Sequence, residues 1–190
     1  SVSFLELNTS QSPEESKIEA HSILMQVLNL NKTALYKRYD HKIDKTSQEK
    51  IDEILELRKN NVPLSYILNS HIFYNDNFYV DKNVLIPRPE TEILVENLIK
   101  HTRVDSKLHV LDIGTGSGCI LLSILKERTN FSGTGIDISK KSIKISKYNA
   151  KKLQLSKRSK FYISDVDNFL FGKYDLIVSN PPYIENYTLK

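Results

Sequence analysis

The stretch that most constrains this chain is Leu108-His109-Val110-Leu111-Asp112-Ile113, which runs straight into Gly114-Thr115-Gly116-Ser117-Gly118 and then into the apolar segment Cys119 to Lys126. An apolar run that ends in clustered glycines and restarts with helical period is a strand–turn–helix unit. Glycines at such a junction accept unusual backbone angles and leave out the side chains that would keep a ligand away from the backbone. The free N–H groups and the dipole at the start of the helix suit a carboxylate or a phosphate. A purely structural glycine turn has the same local pattern.

The alternation continues downstream. Gly133 to Asp137 is a second short strand, and Ser139 caps a basic helix that turns Ile143 and Ala150 to the core. Phe161-Tyr162-Ile163 is a third strand, ending at Ser164-Asp165-Val166, and Tyr174 to Val178 is a fourth, buried one. Strands alternating with helices predict an α/β fold with a parallel sheet and right-handed crossovers. Ligands of such sheets sit beyond the carboxyl ends of the strands, and Asp137, about twenty residues after the glycines, is placed there to hold ribose hydroxyls.

The fourth strand leads into Ser179-Asn180-Pro181-Pro182-Tyr183. The Asn180 side chain offers a carbonyl acceptor, and the prolines hold their own carbonyls in stiff, extended backbone. The Asn180 side chain and the Pro181 carbonyl can converge on one planar –NH2 group, with the Tyr183 ring laid on its plane. A Pro-Pro turn that simply closes a strand is the plain alternative, and the tetrapeptide alone does not separate the two.

Ahead of this unit the pattern is helical. Residues Ser1 to Pro13 carry little pattern and are expected to fray. A helix starts at Pro13-Glu14-Glu15, with acidic residues where the dipole favours them, and brings Ile18, Ile23, Leu24, Val27 and Leu28 to one face. Asn31-Lys32-Thr33 breaks it, a short helical piece runs through Tyr39, and Ser47 is the expected N-cap of a helix carrying Ile51, Ile54, Leu55 and Leu57. These elements predict a helical bundle over residues 1–70 that recognises a partner or packs on the rest. Ile72-Phe73-Tyr74 and Phe78-Tyr79-Val80 flank the turn-rich Asn75-Asp76-Asn77, which predicts a β-hairpin linker over 71–86. The segment Pro87-Arg88-Pro89-Glu90-Thr91-Glu92 comes next; a helix follows its prolines with Ile93, Leu94, Val95, Leu98 and Ile99 inward, and residues 87–190 form the ligand-binding domain.

Composition narrows the function classes. With 190 residues, 39% hydrophobic and 26% charged, the chain suits one or two globular domains. A single cysteine, Cys119, excludes an internal disulfide framework and fits a reducing, cytoplasmic setting. No apolar run is long enough for a membrane span, and no signal-peptide pattern opens the chain. The net charge of +4, with its basic cluster from Lys140 to Lys160, permits an acidic or RNA-rich partner without requiring one. No nucleic-acid recognition module is visible, so no direct nucleic-acid substrate is expected, and the chemistry calls for no metal.

The glycine spacing separates two ligand classes. Nicotinamide dinucleotides go with G-x-G-x-x-G, whereas this chain has G-x-G-x-G. That variant, after Leu111-Asp112-Ile113 and followed by Asp137, resembles the S-adenosylmethionine-binding loop of class I methyltransferases. Asp165-Val166 falls where that fold places its adenine contacts. Asn180-Pro181-Pro182-Tyr183 resembles the signature of methyl transfer to a planar nitrogen, on adenine, cytosine or a glutamine amide.

From about Glu19-Ala20 to its last residue the chain resembles the PrmC/HemK family of peptide-chain-release-factor glutamine methyltransferases. The resemblance rests on Pro63-Leu64-Ser65-Tyr66-Ile67, Phe73, Leu85 to Glu92, Leu111 to Gly118 and Asn180 to Tyr183. It implies a class I, Rossmann-like methyltransferase domain with visible strand order 3-2-1-4, a hairpin linker, and an N-terminal helical domain that meets the release factor. The family's domain has seven strands and four are visible here, which implies a chain truncated after strand 4. By the same resemblance Gly114, Thr115, Gly116, Ser117, Gly118, Asp137, Asp165, Val166 and Asn180 contact S-adenosylmethionine, whose product is S-adenosylhomocysteine. Asn180, Pro181 and Tyr183 form the catalytic set, and Asn180, Pro181, Pro182 and Tyr183 hold the glutamine of the factor's Gly-Gly-Gln loop. The chain departs from the family at Asn61 and Asn69, where glycine is usual, at Val62 and Ile72, where glutamate is frequent, and at Val166, where an aromatic often stands. Three alternatives remain: a ribosomal-protein glutamine methyltransferase, a DNA or RNA amino-methyltransferase, and a fragment that binds cofactor or factor without turnover.

Overall fold

Three helices of the N-terminal part begin where a short polar side chain, Ser12, Asn31 or Asp44, catches a free N–H group. In the computed structural model, which describes residues 2–9, 12–38 and 41–181, the chain divides into the units Ser1–Asn69 and Ser70–Lys190. The first unit contains α1 (Val2–Asn8), α2 (Pro13–Val27), α3 (Lys32–Lys37), α4 (Lys45–Lys59) and α5 (Leu64–Ile67). At the start of α2, Ser12 Oγ accepts the Glu15 N–H at 3.3 Å while the Glu15 carboxylate accepts the Ser12 N–H at 2.8 Å, a reciprocal cap. Leu5, Ala20, Ile23, Ile51 and Leu55 close this unit's core.

Several local expectations are corrected here. Val2–Asn8 is helical and not frayed, because Leu5 is fully buried and supplies tertiary support that the local sequence does not reveal. The cap of α4 is Asp44, whose carboxylate accepts both the Ser47 N–H (2.9 Å) and the Ser47 hydroxyl (2.7 Å). A charged acceptor at the positive end of the helix dipole outcompetes the neutral serine expected in that role. Ile18, expected inward, is 66% exposed. Asn61 and Asn69 take φ of 59° and 49°, the left-handed backbone that glycine otherwise supplies and that asparagine tolerates.

The second unit opens with the hairpin β1 (His71–Phe73) and β2 (Asp76–Phe78). Its turn is the pair Tyr74-Asn75, both at positive φ (47° and 66°), a two-residue loop whose twist matches the strands. Asp76 and Asn77, expected in the turn, therefore belong to the strand. Phe73 and Phe78 are buried edge to face in the core of this unit, so the hairpin is part of that core. The helix α6 (Pro89–His101) follows; Val95 is fully buried and Leu94, Leu98 and Ile99 pack beside it, but Ile93, expected inward, is 54% exposed.

The sheet consists of β3 (His109–Ile113), β4 (Ser132–Asp137), β5 (Ser159–Ile163) and β6 (Leu176–Ser179), with α7 (Cys119–Glu127) and α8 (Lys140–Lys152) as crossovers. All its pairings are parallel, and the order β5-β4-β3-β6 is the 3-2-1-4 arrangement that the resemblance implies. β3 is paired on both sides, and α7 buries Ile120, Leu121, Leu122, Ile124 and Leu125 against the sheet. The fourth strand is shorter and wetter than expected. Tyr174 and Asp175 precede it, and Ile177 is 65% exposed. No helix among the described residues is long and apolar enough to cross a membrane.

One buried side chain ties the hairpin segment to the sheet. Asn149 of α8 is fully buried; its Nδ2 donates to the Ser117 and Tyr79 carbonyls (2.9 and 3.0 Å), and its Oδ1 accepts the Tyr79 N–H (2.8 Å). Asn149→Ala strands those backbone groups, and urea unfolding is expected to show a loss of about 3 kcal/mol, the scale of buried groups left unpaired. A loss under about 0.5 kcal/mol, the range of a surface change, would show that this bridge is dispensable.

Candidate functional site at the carboxyl end of the sheet

Sheet register brings three of the expected residues level with one another. Ile113 of β3 pairs with Ile136 of β4 on one side and with Ser179 of β6 on the other. One step further along these three strands stand Gly114, Asp137 and Asn180. Ser179 Oγ also donates to the Ile113 carbonyl at 3.0 Å, which fixes the end of β6 against β3 just before Asn180.

The glycine turn has two different jobs. Gly114 and Gly116 have φ of 70° and 54°; a Cβ on Gly114 would meet nothing within 4 Å, and on Gly116 only the Gly114 carbonyl, at 3.9 Å. Both leave an open face where a ligand can reach the backbone. At Gly118 a Cβ would press on Leu122 Cδ1 and Ser146 Cβ at 3.1 Å, so the room it leaves is used inside the protein. Thr115 and Ser117 are buried, so a ligand over the turn meets their backbone and not their side chains.

Asp137 is tied down from both sides. Its Oδ2 accepts the Gly116 N–H at 3.0 Å and its Oδ1 accepts the Ser139 N–H at 2.8 Å, leaving further lone pairs for hydroxyl donors. Beyond it Ile138 is 78% exposed, an apolar residue at the strand end that the sequence reading did not single out. Val166, after β5, is also exposed. Asp165 is occupied locally: its carboxylate accepts the backbone N–H and the Nδ2 of Asn168, each at 2.8 Å. Asn180 Nδ2 donates to Thr91 Oγ1 at 3.0 Å. Pro181 follows in the exposed backbone, while Pro182 and Tyr183 lie outside the described residues.

Asp112, under the turn, was also missed. It is 1% exposed; Oδ2 accepts the Thr115 hydroxyl at 2.6 Å, and Oδ1 finds no donor among the described residues. Burial pushes its carboxyl up to about 7, with the nearby Asp137 charge adding to the shift. The available signal was an acid inside an apolar central strand, at a position where a solvated residue has no place.

The order of the parallel sheet, the glycine turn on its central strand and the acidic residue ending the next strand define the chain's second unit as a class I methyltransferase fold. Comparison with known proteins carries this to the family. A family model described as methyltransferase small domain matches residues 89–189, and one described as PrmC N-terminal domain matches residues 4–68. The chain belongs to the methyltransferase small domain family, and its N-terminal part is similar to the PrmC N-terminal domain. It is similar to the release factor glutamine methyltransferase of Mycoplasma mycoides subsp. mycoides, 37% identical over 174 residues, which cover 90% of this chain and 61% of that one. Against the protein of the same name from Fusobacterium nucleatum it is 40% identical over 191 residues, 97% of this chain and 52% of that one. The chain thus spans about half to three-fifths of the length of these curated relatives. The solved ribosomal protein L11 methylase of Lactobacillus delbrueckii subsp. bulgaricus overlaps 54% of this chain and 51% of its own at 27% identity, with a TM-score of 0.45.

The raised Asp112 carboxyl makes stability depend on pH with a definite sign. Below its ordinary value of 3.8 both folded and unfolded chains hold the proton. From there to about 7 the unfolded chain releases it and the folded chain keeps it, so stability falls as pH rises, and levels off once both are ionised. Asp112→Asn removes this dependence. In urea unfolding the stability of the wild type relative to the variant is expected to drop by about 2 kcal/mol between about pH 5 and pH 7.5. Parallel pH profiles for the two proteins would contradict a proton held by folding.

Proposed function

We propose that this chain transfers a methyl group from S-adenosylmethionine to the side-chain amide nitrogen of the glutamine in the Gly-Gly-Gln loop of a peptide chain release factor. The observation that carries the reading is the level placement of Gly114, Asp137 and Asn180 just past one row of the sheet. It supports a cofactor turn and an amide acceptor on neighbouring strand ends. The names of the relatives support the same acceptor.

The residues fit the cofactor. The open faces of Gly114 and Gly116 and the start of α7 suit a backbone-held methionine end, the spare lone pairs of Asp137 suit ribose hydroxyls, and exposed Ile138 and Val166 offer apolar walls to a base. S-adenosylmethionine, when bound, supplies a methyl group on a positively charged sulfur and is left as S-adenosylhomocysteine. The chain's own part is to prepare a poor nucleophile. An amide nitrogen is weak because its lone pair is delocalised. Asn180 Oδ1 and the Pro181 carbonyl accept its two N–H bonds, hold it in one orientation and stabilise the positive charge that grows on it as the N–C bond forms. One N–H proton then leaves to solvent. Pro182 and Tyr183 complete the proposed substrate-binding set. In this reading residues 1–70 meet the release factor, residues 71–86 join them to the catalytic residues 87–190, and the protein works in the cytoplasm, where release factors act.

Calorimetric titration is expected to give binding of S-adenosylhomocysteine and none of reduced nicotinamide dinucleotide. The reverse result would overturn the cofactor assignment. Gly116→Val should lose the binding, because a β-branched side chain both fills the open face and resists a φ of 54°. Asn180→Ala should leave cofactor affinity within about tenfold and slow methyl transfer about 100-fold, the effect of removing one preorganised group from a charge-developing site. Equal losses of affinity and rate would reduce Asn180 to a cofactor contact.

A further inference from the structure

The helix α6, which opens at Pro89, turns a polar side chain inward in its first turn. Thr91 is 8% exposed, and its Oγ1 accepts the Asn180 Nδ2–H at 3.0 Å, a contact spanning 89 positions of sequence. The support behind it is stiff. Val95, one turn on, is fully buried, and Glu92 accepts the Tyr74 N–H of the hairpin turn at 3.0 Å. Threonine in a helix has few side-chain rotamers, so the position of its hydroxyl is set by the helix.

An asparagine amide carries donors at one end and acceptor lone pairs at the other, and its terminal torsion is soft. For Asn180 to receive an N–H bond, its oxygen end has to face the acceptor. Holding the nitrogen end on Thr91 places Oδ1 on the opposite side. We infer that Thr91 is a positioning residue: its hydroxyl anchors the nitrogen end of the Asn180 amide and thereby presents Oδ1 to the group that is methylated. This rests on the function proposed above, and it gives the Pro87 to Glu92 segment a chemical purpose. Glu92 fixes the start of α6 to the hairpin, and Thr91 passes that rigidity to the amide.

The test compares wild type, Thr91→Val, Thr91→Ser, Asn180→Ala and the Thr91→Val/Asn180→Ala double variant in the full-length protein. Valine keeps the shape of threonine and deletes the hydroxyl. Thr91→Val is expected to lower kcat about tenfold, with the KM values and S-adenosylhomocysteine affinity within about twofold, and Thr91→Ser to recover most of the rate. Because Thr91 acts through Asn180, the double variant should be no slower than Asn180→Ala alone. A multiplied loss in the double variant, or a loss confined to cofactor affinity, overturns the proposal. A second readout needs no acceptor: the Asn180 side-chain amide protons should exchange with solvent about tenfold faster in Thr91→Val than in wild type, as for a lost hydrogen bond. Equal exchange overturns the proposal. If the wild type methylates some acceptor other than a release factor, the proposed substrate fails while the Thr91–Asn180 coupling is still read on that acceptor.

Discussion

The hydrogen bond from the Gly116 N–H to the Asp137 carboxylate, 3.0 Å long, joins the turn after β3 to the end of β4, and the rest of the site is built around it. Positive φ at Gly114 and Gly116 aims that N–H, which is why the turn needs residues without a Cβ. The other Asp137 oxygen accepts the Ser139 N–H, and Ser139 in turn caps α8 by accepting the Ser142 N–H at 3.2 Å. Further along α8, Asn149 returns to the turn by donating to the Ser117 carbonyl at 2.9 Å. Turn, strand end and helix thus close a ring in which each member fixes the next.

Beneath this ring lies a second support. Thr115 donates its hydroxyl to Asp112 and its backbone N–H to the Ile136 carbonyl at 2.9 Å. A Cβ on Gly135 would stand 2.7 Å from Thr115 Oγ1, so that glycine makes the room in which Thr115 sits. An acid buried there holds its proton to about pH 7, which spares the fold an unpaired charge under the turn. On the other side of β3 the end of β6 is fixed by Ser179 and by Thr91, so the glycine turn and Asn180 stand on strands locked in one register.

Much of this was legible because it is local. The strand–glycine–helix junction, the acid ending the next strand and the Ser139 cap each follow from a few neighbouring residues. The parallel order of the sheet came from the alternation together with the family resemblance. What escaped is long-range or competitive. Asn149 bridges 70 positions to Tyr79 and Thr91 bridges 89 to Asn180, and no periodicity encodes either. Val2–Asn8 is helical because Leu5 finds a core. The hairpin turn falls one residue early because Tyr74 accepts a positive φ, which turn-residue preferences do not anticipate. The exposure of Ile177 on β6 contradicts the expectation from its apolar run, which judges a strand without its neighbours.

The central claim is that the strand ends at Gly114, Asp137 and Asn180 serve methyl transfer to one amide nitrogen. The most direct measurement gives the full-length protein labelled S-adenosylmethionine and three acceptors side by side: a release factor, the same factor with the glutamine of its Gly-Gly-Gln loop replaced, and duplex DNA. Peptide mass spectrometry then locates the added methyl group. The account predicts label on the intact factor alone, on the side-chain nitrogen of that glutamine. Label in DNA, or equal label in both forms of the factor, would contradict it.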